Sequence, residues 1–181
     1  MFKRDKLEAF VEKYDTIQID FSDQSFSQMF QLVIDIVKHF LDKSRPGILL
    51  GLVELGYDRG TFVGGFHKVG TNEIYLNQSA LRVMWEESQK TYYKAYLFHL
   101  LLHEYIHSIG VYDERKTRQL TRAISLELFQ TRHPIGRLVV QGLNALFPYS
   151  FHSERYQPHP REMLNPEFIL LRHRDSEHTY I

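Results

Sequence analysis

The stretch "LLLHEYIHSIGVYDE", Leu100 to Glu114, sets two histidines four residues apart around a glutamate, inside an apolar run. On a helix turning 100° per residue, His103, Glu104 and His107 fall within an arc of about 100°. Leu97, Phe98, Leu101, Leu102, Tyr105 and Ile109 lie on the opposite side, so one face can pack into a core while the other presents polar groups. Three ionisable groups clustered between apolar flanks are costly to bury unless they satisfy one another or hold an ion.

Working outward, Gly110 ends this helix, and residues 114–130 and 135–146 read as further helices, with "ALRVMWEE" as another before it. Upstream, "GILLGLVELG" (47–56), "TFVGGFHKV" (61–69) and "EIYLN" (73–77) read as strands, the first two joined by an Asp-Arg-Gly turn and the last two by "GTN". An antiparallel or mixed sheet packed on the helices is the expectation, with these three strands suggesting an antiparallel meander. Residues 26–43 repeat apolar side chains at helical spacing through Phe26, Met29, Phe30, Val33, Ile36, Val37 and Phe40. Leu7 to Tyr14 reads as a short helix, and "TIQIDF" (16–21) alternates like a half-buried strand. Helix, strands, then a helical half define an α+β domain over residues 1–146. Residues 147–181 carry four of the six prolines and little periodicity, which predicts an extended arm with one apolar piece, "EFILL".

Composition narrows the chemistry. The chain has 181 residues, 43% of them hydrophobic, with 22 basic and 22 acidic side chains. Zero net charge and the lack of a Lys/Arg cluster interleaved with aromatics argue against a nucleic-acid binder. No apolar run reaches the ~20 residues of a membrane helix, and the charged start "MFKRDKLEAFVEKYD" does not read as a secretory signal, so a cytoplasmic location is expected. Cysteine is absent, so a metal here must be held by His, Asp or Glu.

Histidines one helical turn apart can bring two imidazole nitrogens to one zinc ion at about 2.0–2.1 Å each. Glu104 is then placed to take a proton from water attacking a carbonyl. The expected activity is peptide hydrolysis on a peptide or protein substrate.

"HEYIHSIGVYD" (103–113) resembles the extended signature H-E-x-x-H-x-x-G-x-x-H/D of the metzincin branch of the zincin metallopeptidases. The resemblance implies a zincin-like domain, zinc held by His103, His107 and Asp113, and Glu104 as general base. Gly110 would turn the chain so that residue 113 folds back. It also implies a substrate strand along the groove, for which "TNEIYLN" (71–77) is the candidate. It is not extended to a Met-containing turn, since Met163 reads as an ordinary apolar residue of the arm.

Glu127, 20 residues after His107, is a competing third ligand resembling that of the gluzincin branch, and it falls inside the apolar stripe Leu120, Ala123, Ile124 and Leu128. Asp113 is preferred, because Glu127 would lie about 20 Å along its helix. Glu114 and His133 rank behind both. Asp113 has a second use as the cap of the next helix. His99 extends the histidine row and lines the cleft, and Tyr112 is a candidate to polarise a carbonyl. The arm suggests a protein partner or a cover for the cleft. A rival function is a zincin-like module that keeps the metal helix but serves as a catalytically silent subunit or adaptor.

Overall fold

The structure, a computed structural model, describes residues 2–57, 62–143 and 166–169. Among these, six helices and a four-stranded mixed sheet form an α+β arrangement: α1 (Phe2–Thr16), α2 (Asp23–Leu41), β1 (Leu49–Val53), β2 (Gly65–His67), β3 (Glu73–Asn77), α3 (Gln78–Glu87), α4 (Lys90–Ser108), α5 (Glu114–Leu128), α6 (Pro134–Gln141) and β4 (Glu167–Ile169). No helix among the described residues is long and apolar enough to cross a membrane.

The 3.6-residue pattern of the second segment holds. Ser22 caps α2 by accepting a hydrogen bond from the Ser25 amide, and Phe26, Met29, Phe30, Val33, Ile36 and Val37 are buried. "TIQIDF" does not form a strand. Thr16 is the last residue of α1, and the residues after it lay Ile17 against the core without a ladder partner among the described residues. Their alternation records burial on one side, which periodicity alone cannot separate from strand pairing.

The sheet corrects the expected meander. Its order is β2-β3-β1-β4, with β1 parallel to β3, and β2 and β4 antiparallel to their neighbours. The hairpin of β2 and β3 is present, but β1 and β2 are not paired. The cause lies in the polar end of β3. Asn77, fully buried, donates through its amide to the carbonyls of Gly56 and Val63 at 2.8 Å each and accepts from the Leu55 amide at 3.2 Å. Ser79 accepts from the Gly56 amide. These bonds hold the chain leaving β1 across the end of β3, which delivers β2 to the far edge. The expected turn at 58–60 lies outside the described residues.

Within the C-terminal arm, Glu167–Ile169 is a strand pairing with β1, Ile169 opposite Leu50. The rest of that arm, with Met163, His173 and His178, lies outside the described residues. The register sets His67, Ile74, Leu50 and Ile169 in one row facing the helices, and Phe66, Tyr75, Gly51 and Phe168 in a row on the other face.

α4 is the central helix and packs against α2, α5, α6 and β2. Tyr93, Leu97, Phe98, Leu101, Leu102, Tyr105 and Ile106 are fully buried, so Tyr105 packs as expected and Ile106 packs with it. Such burial around a helix holds its polar residues in fixed rotamers beside one cleft.

Candidate metal centre

His103 and His107 project from successive turns of α4 and are half-buried. Gly110 follows with φ at +98°, a conformation that strains any side chain, and reverses the chain. The Asp113 carboxylate then caps α5, accepting from the Lys116 amide at 2.6 Å. Glu114, the first residue of α5, is left to face back towards the histidines.

The three ligand atoms converge. His103 Nε2 and His107 Nε2 are 3.2 Å apart, and Glu114 Oε2 lies 3.1 Å from the second and 3.4 Å from the first. Three corners of a tetrahedron around zinc, each 2.0–2.1 Å from the ion, are separated by about 3.3–3.4 Å. The observed triangle therefore has the size of a zinc shell with one corner left open.

The surroundings fix which lone pairs point inward. His107 Nδ1 donates to the Val111 carbonyl at 2.7 Å, so in the neutral ring Nε2 carries the lone pair. The same carbonyl accepts from the Thr117 hydroxyl at 2.9 Å. Arg118 Nε donates to Glu114 Oε1 at 2.6 Å, holding the carboxylate with Oε2 towards the imidazoles. A bare imidazole lone pair facing a carboxylate oxygen is repulsive, and a cation between them removes the repulsion.

Burial lowers the pKa of His103, opposed by Glu114. Burial works to raise the Glu114 carboxyl, but Arg118 and the two imidazoles outweigh it and keep it ionised below the usual range. Glu104 is only 5% exposed, and burial pushes its carboxyl up to about 7, opposed by His107 and by the His67 amide that donates to it.

These groups stand on the floor of a cleft of about 1350 Å³ between β2 on one side and α5 and α6 on the other. The edge strand beside the cleft is β2, not the expected 71–77 segment, because β3 lies inside the sheet. His99 and Tyr112 also line it. The His99 ring is 6.4 Å from that of His103, and burial depresses its pKa to about 4.

The third position thus departs from both preferred readings. Asp113 is engaged as a cap and is not in the group of His103, His107 and Glu114. Glu127 is exposed near the far end of α5, outside the buried face made by Thr117, Thr121, Ile124, Ser125 and Leu128. His133 caps α6 through Nδ1 and stacks on Phe129, a structural role. A signal for Glu114 does exist in "DERKTR": if the Asp caps the helix, the adjacent Glu is released, and an Arg four residues on can hold it. Comparison with known proteins returns no match: no protein-family model, no curated protein and no solved structure matches the chain.

Proposed function

We propose that this protein is a zinc-dependent peptidase with a zincin-like fold, in which His103, His107 and Glu114 hold the ion and Glu104 is the general base. The observation that carries the reading is the triangle of Nε2, Nε2 and Oε2 atoms at 3.1–3.4 Å, beside a buried glutamate in an open cleft. Two imidazoles, one carboxylate and an open corner are the donor set of a catalytic rather than a structural zinc site. Zinc bound there supplies Lewis acidity, making water a nucleophile near neutral pH.

The chain's own residues do the rest. Glu104 takes the proton of the attacking water and passes it to the departing amine, and a carboxyl tuned to about 7 is suited to both transfers. The β2 edge aligns the substrate. Gly64 O accepts from the Asn77 amide and the Lys68 amide donates to Glu73 O, so alternate residues face β3. Between them, the main-chain groups of Gly65 and His67 turn away from β3. The His67 amide reaches Glu104, which leaves Gly65 to pair with an extended peptide laid along the cleft.

The test is elemental analysis combined with a peptide-cleavage screen. One zinc per chain is expected, lost in His103→Ala and His107→Ala. Glu104→Gln should keep the zinc and lose cleavage by at least about two orders of magnitude, the usual worth of a general base. Full cleavage by that variant would overturn the mechanism.

A further inference from the structure

The cleft is chemically lopsided. On α5, Glu114, Arg118 and Arg122 stand four residues apart in one row, which sets the backbones of the two arginines about 6 and 12 Å along the helix from that of Glu114, with the Arg118 guanidinium reaching back to the Glu114 carboxylate at 2.6 Å. Arg115 joins them on the cleft wall. The opposite wall is apolar at Phe62, Val63 and Phe66 and offers main chain at Gly64 and Gly65.

The carboxylates lining the cleft are already engaged. Asp113 caps α5, Glu114 meets both imidazoles and Arg118, and Glu104 is buried against the His67 amide. The arginines are differently placed. Arg122 gives its Nη1 to the Val139 carbonyl at 2.8 Å, which orients the guanidinium while spending one of five donors. Arg115 has no ion-pair partner among the described residues. A divalent cation at the histidines adds to this positive field.

We propose that the arginine wall selects anionic peptides, with Arg122 and Arg115 receiving acidic side chains on the residues that flank the reacting bond. This deepens the peptidase reading and rests on it for taking the cleft as a substrate groove. At about 3.3 Å per residue in an extended peptide, the offset of about 12 Å along α5 sets Arg122 against a side chain about three or four residues from that bond, and Arg115, the chain neighbour of Glu114, against one closer to it. An Arg fork binds a carboxylate bidentately and discriminates against its amide.

The probe is a fluorescein-labelled peptide carrying glutamates on both sides of a central alanine segment, compared with its glutamine counterpart. Binding is read by anisotropy on the full-length, zinc-loaded Glu104→Gln protein, so turnover does not intrude. The glutamate peptide should bind about tenfold more tightly or better, and the preference should shrink on raising salt. Arg115→Ala with Arg122→Ala should abolish the preference, and Arg122→Lys should restore part of it. Arg118 is left intact because it holds Glu114. Equal binding of the two peptides, binding of neither, or a preference that survives the double variant overturns the proposal. If wild-type protein binds the glutamate peptide selectively but never cleaves it, the peptidase reading falls while the selectivity stands.

Discussion

Asp113 and Glu114 are adjacent and both acidic, yet the backbone divides them. A cap residue has extended φ and ψ and turns its side chain over the first turn of its own helix, so a capping Asp113 cannot also reach the histidines. The next residue is the first with helical geometry and projects to the side, where Arg118 holds it. The two should therefore fail differently. Asp113→Ala should cost about 1 kcal/mol of stability in denaturant unfolding, as lost caps do, and leave zinc stoichiometry intact. Glu114→Ala should weaken zinc by more than the ~10–100-fold typical of losing an outer partner, as read by chelator competition. Zinc lost in the first variant and kept in the second would restore Asp113 as the ligand. The histidines and Glu104 were legible in the sequence because helical spacing is rigid. That Glu114 joins them was not, because it depends on which of two neighbouring acids the cap consumes.

At the scale of elements, helices were read well and strand partners poorly, for a physical reason. Helical hydrogen bonds are local, so α2, α4 and α5 carry their own signal in apolar spacing. Strand pairing is set by distant groups, here the buried Asn77 amide that draws Gly56 and Val63 together and sends β2 to the edge. The reach of β2 over α4 also depends on having no side chain at Gly64 and Gly65. A Cβ on Gly64 would collide with the Tyr96 hydroxyl, and one on Gly65 would lie 2.7 Å from the Tyr75 carbonyl oxygen. The latter is backbone and cannot swing aside. Gly65→Ala should therefore destabilise the protein by about 1–3 kcal/mol, as overpacked sites do, and impair peptide binding beyond that loss by displacing the edge strand. Thermal unfolding and the anisotropy assay separate the two effects, and unchanged stability would show that the strand has slack.

Over the whole molecule, α+β architecture with an antiparallel or mixed sheet followed from segment order, whereas the strand order and the joining of Glu167–Ile169 to β1 did not, because sequence spacing carries no record of which distant edge a short strand will meet. What the assembled fold adds is a shared burial of titratable groups, and this has a pH signature. His67, His99, His103 and His133 all have depressed pKa values, with burial the leading cause in each. In metal-free protein the unfolded chain takes up protons at these residues as pH falls through about 6.5, while the folded chain resists; for His99 the window runs down to about 4. Because the unfolded state then binds more protons, stability must fall on acidification. Glu104 acts in the opposite sense. Its folded pKa of about 7 lies above the ordinary 4.5, so between those values the folded state holds the proton and gains stability as pH falls. With chelator present, unfolding followed from pH 7 to pH 5 should show a net loss of stability, the four histidines outweighing one carboxyl. Glu104→Gln keeps an acceptor for the His67 amide but removes the opposing proton, so its loss should be steeper, by up to about 1.4 kcal/mol per pH unit. Stability that rises on acidification would mean that the histidines are not held neutral by burial. Parallel curves for the two proteins would mean that Glu104 is not tuned by the cleft.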